Sequence, residues 1–486
     1  MTDAQFLEWL SGAAGLARRV ALVEVDTDTP RYLCSAPYTT LPGDTPANRM
    51  YLPCIATGVS FSERLSLDAT GNPAISAGDI DVANDDGALD SWLDDVWVNR
   101  AVRVYIGDVA WPRAQFRLVF AGVCADLHAG SAGRLSISLR SKLERLNTPV
   151  TEQLIGGTSA NKDRIRPVGF GECHNISPVL VEEGEQEFVA SSGALERIIE
   201  ARSNGAPLTI TPDLYNGRFR MTTAIYGQIT ASVQFGLPYV NTVAGIIQLL
   251  ATQWGTPSER LTAADMDAAN LAAFGAAHPQ PVGVYLSDRA NVMSVCQQLA
   301  ASVGAQLTVS STGLLRLVKV QLPGNGAPVA IGPADWEAGS LTLKQRPEVI
   351  AGVKLGYCRN WTVQSTLETG IPPAHAQLYG QEWLTVSARS SAVAARYRLH
   401  GDAQQVDTLL LREADAQAEA NRRLALWSAP RSVFSLRGYA HLLGLELGQA
   451  VTLTAPRWGL NAGQLGQVVG LSRDWLAGRI DVEVLI

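Results

Sequence analysis

The sequence predicts a multidomain protein of the α+β class that is predominantly β: two related small β-barrel domains, a mixed α/β middle, and one long helix in the C-terminal domain. Three observations carry this. Apolar residues alternate with period 2 towards both ends of the chain, as in VRVYIG (102–107), LSISLR (135–140) and IDVEVL (480–485). Between about 240 and 305 the apolar period lengthens to that of a helix. A chain of 486 residues also exceeds what one hydrophobic core organises, which implies about three or four domains.

The first domain is expected over 1–150. Phe6, Leu7, Leu10 and Ala14 recur at near-helical spacing, which predicts a short helix over 3–17 ahead of a first strand at Val20 to Val25. VRVYIG, FRLVFAGV (116–123) and LSISLR then read as strands separated by Gly, Pro, Asn and Asp, which fits a small antiparallel barrel or sandwich. A β-rich subdomain follows over 151–238, punctuated by IGG (155–157) and by Asn-Gly pairs at 204–205 and 216–217. These pairs signal hairpins, because Asn and Gly tolerate positive φ.

The α+β middle is expected over 239–340. Asn241 can cap a helix carrying Val243, Ile246, Ile247, Leu250 and Trp254 on one face and ending at Gly255. Asp288 can cap a second, with Val292, Val295, Leu299 and Val303, ending at Gly304. AQLTVSSTGLLRLVKV (305–320) reads as a hairpin turning at Ser311 to Gly313.

Over 341–486 the β pattern returns as a second barrel-like domain, with an inserted helix at 409–427 that Pro430 prevents from continuing. AVTLTA (450–455), GQVVGLSRD (466–474) and IDVEVL run as strand, loop, strand containing Gly, turn, strand. That order repeats VRVYIG, LVFAGV and LSISLR in the first domain, and it is the pattern of an internal duplication.

Composition narrows the function classes. Apolar residues make up 47% and charged residues only 17%, so the surface is sparing in charge and suits burial against partners. A net charge of −7 argues against a protein that grips phosphate backbones along its length. Six scattered cysteines with no CxxC pair read as buried thiols of a protein assembled in a reducing cytoplasm. Asp3, Glu8, Arg18 and Arg19 break the N-terminus, and no later run is long and apolar enough to span a bilayer, so neither a signal peptide nor membrane insertion is expected.

No GxSxG, HExxH or P-loop occurs, and in GFGECH (169–174) the third glycine of a dinucleotide fingerprint is replaced by His174. Asp79, Asp81, Asp85 and Asp86 are a candidate Ca²⁺ set. From Asp79, however, the EF-hand positions for a ligand and for glycine fall on Ala83 and Asn84, so a strand entering a solvated turn is the better reading. Cys173 beside His174, with Cys34 and Cys54, is a candidate nucleophile or metal set, but neighbours on a strand point to opposite faces. Trp92, Trp97 and Trp111 are a candidate stacking platform, set against the commoner role of core or contact aromatics. The helix face Leu411, Ala414, Ala418, with Arg412, Arg422 and Arg423 opposite, is a candidate nucleic-acid surface. Interleaved Glu413, Asp415 and Glu419 favour a solvated or intersubunit face. No catalytic, cofactor-binding or metal residue is assigned.

Residues 78–108, with FRLVFAGVCADLH (116–128), LSISLRSKLERLNTPV (135–150), the segment 166–209 and the closing block 412–486 with its phrase LELGQAVTLT, resemble baseplate or tail-tip hub proteins. These are hubs of long flexible-tailed, siphovirus-like bacteriophages and related gene transfer agents. The resemblance implies a non-enzymatic structural protein of the virion, assembled in the host cytoplasm. It implies a homotrimer whose two barrel domains per subunit present a pseudo-sixfold ring to the tail tube. Its implied partners are the tail tube, the distal tail protein, the tape measure protein and a central fibre or spike, with DNA passing through the lumen without specific binding.

Some such hubs hold an iron–sulfur cluster in a C-terminal domain. Only Cys358 lies beyond residue 340 here, so no such cofactor is expected. The chain ends at Ile486 directly after its last expected strand, which leaves no appended receptor-binding or lysozyme-like domain expected on it. The alternatives are a wall-degrading tail enzyme using Cys173 and His174 or the Asp79 to Asp86 acids, and a carbohydrate-binding virion module using the three tryptophans.

Overall fold

The computed structural model describes residues 2–12, 18–56, 59–67, 74–76, 78–131, 133–222, 227–322 and 327–486. The chain divides into two compact units, each assembled from separated segments. The first comprises residues 1–145, 307–348 and 430–486, and the second comprises 146–306 and 349–429.

The first unit opens with α1 (Asp3–Ser11), where Thr2 and Gln5 form a reciprocal capping box and Phe6 and Leu10 are buried. The helix was expected over 3–17. It stops at Ser11, with Gly12 extended at its C-cap, and Ala14 lies outside the described residues. The strands that matter below are β1 (Arg19–Val25), β2 (Ser60–Arg64), β3 (Asp79–Ala83), β4 (Ala101–Asp108), β5 (Arg117–Ser131) and β6 (Arg134–Ser141). From the end of the chain come β7 (Thr342–Gln345), β8 (Val433–Tyr439), β9 (Ala450–Leu453), β10 (Gln464–Asp474) and β11 (Arg479–Leu485).

One eight-stranded sheet runs through Tyr38–Thr39, Met50–Pro53, Arg31–Cys34, β1, β4, β5, β6 and β3. The other runs through Val329–Ile331, β9, β10, β11, β8 and β7, with β2 and Ala74–Ser76 added beside β10. Alternation produces one buried face: Ile480, Val482 and Val484 are all 0% exposed, while Asp481 and Glu483 between them point away. The hairpin expected around Ser311 forms from Ala305–Val309 and Leu315–Lys319, with Gly313 at φ 82° in its turn.

In the second unit, Val168–Ile176, Leu195–Ser203, Ile229–Phe235 and Gly283–Leu286 belong to a five-stranded sheet, beside a four-stranded sheet of shorter strands. Cys173, Ile176, Phe188, Phe219, Phe235 and Tyr285 form their shared core. Asn204 and Gly205, at φ 45° and 82°, make the expected two-residue hairpin turn between Ser203 and Ala206. The second Asn-Gly pair closes a longer loop between Asp213 and Arg218, where only Gly217 takes positive φ and the Asp213 carboxylate accepts from the Asn216 amides.

The helices of this unit are α2 (Val243–Gln253), α3 (Ala268–Ala277), α4 (Val292–Ser302), α5 (Pro373–Gly380), α6 (Ser391–Tyr397) and α7 (Glu413–Trp427). Two expected caps are corrected. Thr242, not Asn241, accepts from Gly245 N to cap α2, and Asn291, not Asp288, accepts from Met293 N to cap α4. In each case the cap stands immediately before the first residue with helical backbone, where its oxygen reaches the unsatisfied amides of the first turn. The long helix begins at Glu413 and not at 409. Leu410 pairs with Val282 as an isolated bridge and the Leu409 amide donates to Ser302, so these apolar residues are held extended. Among the described residues no helix is long and apolar enough to cross a membrane.

Candidate functional site

The strongest feature of the first unit is that it contains the same four-strand arrangement twice. In space the strands order as β3-β6-β5-β4 and as β8-β11-β10-β9, so the first strand of each run lies beside its last. Every neighbouring pair within both runs is antiparallel. Three hairpin-linked strands with a further strand returned to the outside is a Greek-key pattern.

The two runs share one irregularity as well as their order, while β5 carries two further register shifts, beside Val104 and beside Arg134, that β10 lacks. Ala101 pairs with Val123 and Ala450 with Gln467, and two residues further on each strand carries one unpaired extra residue, Ala125 in β5 and Val469 in β10. A bulge bends and twists its strand, so the shared placement gives both runs a bend at this one point. Aligned through the bulge, Val102 matches Val451, Val104 matches Leu453, Cys124 matches Val468, Leu127 matches Leu471 and Ile137 matches Val482, all buried.

The match extends outside the four strands. The Ala83 amide donates to the Cys54 carbonyl and the Ala56 amide to Asp81. Their counterparts are Tyr439 donating to Asp335 and Glu337 to Arg437. Ile55 bridges Val82 as Trp336 bridges Gly438.

A seam joins the runs. β2 pairs antiparallel with β10, Ser60 opposite Asp474 through Arg64 opposite Gly470, and on its other edge pairs with Ala74–Ser76. Phe61 stacks on Phe120 at 4.1 Å. The buried Arg473 guanidinium fastens three segments: Nε and Nη2 donate to the carbonyls of Leu443 and Leu445, and Nη1 donates to Glu63 of β2 at 2.5 Å. Gln467, also buried, donates to the carbonyls of Lys319 and Gly448 and accepts from the Gln321 amide. Such polar groups are stable in a core because nearly every lone pair and proton is used.

A second buried network lies at the strand Met50–Pro53. Glu24 accepts from the Tyr51 hydroxyl at 2.6 Å and from Arg113 at 2.7 Å, and the Arg113 guanidinium lies 3.6 Å from the centre of the Tyr105 ring. Burial, reinforced by Glu24, pushes the Tyr51 phenol well above its ordinary range.

The residues singled out for chemistry do not converge. Asp79, Asp85 and Asp86 are exposed along β3 and the turn after it. Asp81 sits 3.9 Å from Arg134, and Asn84 organises the turn by accepting from Leu89 N. Cys173 is wholly buried, and burial drives its thiol well above its ordinary value, the opposite of what a nucleophile needs. His174 lies 3.2 Å from Glu172 on the other face of the strand. Cys34 and Cys54, in the first unit, are raised by burial to about 11 and about 12. Among the described residues no three His, Cys, Asp or Glu side chains are grouped to hold a metal ion.

The tryptophans separate into two places. Trp92 and Trp97 are buried against each other at 5.7 Å, Trp97 donating to the Trp92 carbonyl, whereas Trp111 packs at 4.5 Å on Trp9. They form no common platform. The expected phase of α7 is also wrong. Ala414 and Ala418 are exposed, and Ala416, Glu419, Ala420, Arg423 and Leu426 are buried. Glu419 accepts from both Arg422 and Arg423, and Arg423 donates to the Ala301 carbonyl near the end of α4. Arg423 is thus paired inside the fold and Arg422 is paired while half-buried, whereas Arg412 is exposed.

No family model matches the sequence, and no curated protein matches it. Among solved structures the chain is similar to a tail protein from Neisseria meningitidis MC58, with 10% identity and a TM-score of 0.42, covering 96% of this chain and 97% of that one. It is also similar to the 43 kDa tail protein of prophage MuSo2 from Shewanella oneidensis, with 10% identity and a TM-score of 0.39 over 96% and 98%. A third is a prophage tail protein from Listeria monocytogenes EGD-e, with 9% identity and a TM-score of 0.40 over 96% and 94%.

A groove of about 660 Å³ crosses the face formed by β2, β10, β11, β8 and β7. Arg64 and Lys344 both pair with Glu483, and Arg437 with Asp481 at 3.1 Å, between Ser62, Ser435 and Ser472. Cation is matched to anion along the groove, which leaves a polar surface without a concentrated charge of either sign.

Proposed function

We propose that this chain is the structural hub of a bacteriophage tail tip or baseplate. It joins the tail tube and the distal tail protein to a central fibre or spike and forms part of the closed DNA channel. The observation that carries the reading is the duplicated four-strand run, with its shared bulge and shared core, inside one compact unit. A chain with two equivalent wall segments supplies six from three copies, which lets a homotrimer meet a sixfold tube. The sequence resemblance of residues 78–209 and 412–486 to such hubs supplies the biological setting. In this reading the barrel-like domains expected over 1–150 and 341–486 form the ring, and the β-rich and α+β segments, 151–238 and 239–340, face other partners such as the tape measure protein.

The charge-balanced groove suits a wall along which DNA slides without being held. No side chain of this chain is assigned a catalytic role, and no metal or cofactor is assigned to it. The protein works within the virion, after assembly in the host cytoplasm.

Recombinant chain mixed with its neighbouring tail proteins is expected to give threefold rings in electron micrographs and no clearing on peptidoglycan zymograms. A mixture that stays free of rings, or clearing that Cys173→Ala abolishes, overturns the proposal.

A further inference from the structure

In the second unit three segments bring hydrogen-bond donors together without an acceptor to match them. The first is the ribbon made by residues 153–156 and 162–166. The Ile155 amide donates to the Arg164 carbonyl and the Arg166 amide to the Gln153 carbonyl, with Leu154 bridged antiparallel to Ile165 between them. Flanking an extended residue, Arg164 and Arg166 stand on one side of the ribbon, roughly 7 Å apart along it. Lys162 lies in the turn that leads into them, its carbonyl accepting from the Gly156 amide. Lys162 and Arg164 are exposed and Arg166 is half-buried.

The Pro167 carbonyl, directly after Arg166, accepts from the Ser192 amide at 2.7 Å. The segment 191–193 is packed against Gly217, whose carbonyl accepts from the Ala190 and Ser191 amides and where a Cβ would come within 2.5 Å of the Ser191 and Gly193 carbonyls. Arg218 follows at once. Arg166, Ser192 and Arg218 are thus neighbours, and the Nε atoms of both arginines and the Ser192 hydroxyl are buried without a partner. Arg218 gives Nη1 to Glu187 at 3.0 Å, and Asp213, across the strand pair from it, is occupied by Asn216. Arg166 has no hydrogen-bond, ion-pair or ring partner among the described residues. Burial, and after it the nearby Arg218, hold the Arg166 pKa below its ordinary range.

We propose that Arg166, Arg218 and Ser192 form a site for a phosphate-type oxyanion, and that Arg164 and Lys162 extend it into a row that seats the backbone of DNA. Two guanidiniums held near one another with a charge left over repel, and an anion between them removes both the repulsion and the unmet donors. A carboxylate is satisfied by the fork of one guanidinium, whereas donors from two guanidiniums and a hydroxyl suit the several oxygens of a tetrahedral group. The cations that continue along the ribbon favour a polymer of phosphates over a free ion, in a chain whose net charge is −7. Such contacts hold the backbone without reading its sequence. The proposal goes beyond the hub reading and stands or falls without it.

The test is the fluorescence anisotropy of a labelled DNA duplex of mixed sequence, titrated with the full-length chain between about 50 and 200 mM salt. Binding is expected to weaken as salt rises and to be equal for a duplex of unrelated sequence. Arg166→Gln is expected to weaken it about tenfold and to lower the salt slope by about one. Lys162→Gln and Arg164→Gln together are expected to lower the slope by about two. Arg396→Gln, at an exposed arginine on α6, is expected to change neither. Circular dichroism checks that each variant is folded, and the exposed Lys162 and Arg164 variants carry the test if Arg166→Gln does not fold.

Calorimetry with sodium phosphate, against sodium chloride of equal ionic strength, separates the two sources of the anion. Phosphate binding that Arg166→Gln removes, without duplex binding, keeps the oxyanion site and overturns DNA as its ligand. Poly-glutamate bound more tightly than the duplex overturns the DNA backbone in favour of an acidic protein segment. An equal loss in Arg396→Gln means diffuse attraction and overturns the site. No binding of duplex or phosphate overturns the whole proposal, while threefold rings in micrographs of the parent chain decide the hub reading on their own.

Discussion

Arg473 shows why a charged residue is tolerated at the centre of the seam. Its guanidinium is buried, yet Leu443, Leu445 and Glu63 use it from three segments. Arg473→Met keeps the packing and leaves a carboxylate and two carbonyls without a donor, so it is expected to cost about 3–5 kcal/mol, read as a lower urea midpoint for the first unit. Glu172 is a titratable case in the second unit. The hydrogen bond with His174, with a second from Gln234, holds its carboxyl below the usual 4.5. A carboxylate lowered on folding adds stability that is fully present above pH 4.5 and is lost as pH falls below it, through the folded value. Urea unfolding of Glu172→Gln is therefore expected to differ from the parent above pH 4.5 and to converge with it as the pH falls below that value. A difference that persists unchanged in acid contradicts this assignment.

At the scale of elements, most strands and both middle helices follow from period and turn chemistry, and the errors sit at boundaries. Thr242→Ala is expected to destabilise the second unit by about 1 kcal/mol while Asn241→Ala has little effect, because only the Thr242 oxygen reaches Gly245 N. The reverse order in thermal unfolding would move the start of α2 back to where the sequence placed it. The phase of α7 was illegible for a specific reason. A helix in which small alanines lie on every side has no apolar stripe, and its packing is decided by an ion pair between Glu419 and Arg423 that buries two charges. Helix α3 was missed for the same reason, since only Leu271 and Phe274 of its Ala-rich run are buried.

For the whole molecule, the repeat was visible in the sequence only as an order of strands. VRVYIG and AVTLTA share a pattern and almost no residues. Their equivalence rests on where each strand's bulge falls and on backbone hydrogen bonds that any residue but proline can make. Ring formation is the expectation that belongs to this scale, and electron micrographs of the chain with its neighbouring tail proteins read it.

What the sequence determined by itself was local: the predominance of β, the hairpin at Asn204 and Gly205, the helices ending at Gly255 and Gly304, and the lack of any catalytic motif. These follow from side-chain periodicity and from residues whose backbone preferences act within a few positions. The tertiary structure alone decided which distant segments share a unit, that β2 crosses to the second run, that Cys173 lies in a core facing away from His174, and that the tryptophans part. Those outcomes depend on strand pairing across hundreds of residues, where the partners are chosen by buried area and by satisfied backbone groups, and no local pattern encodes the choice.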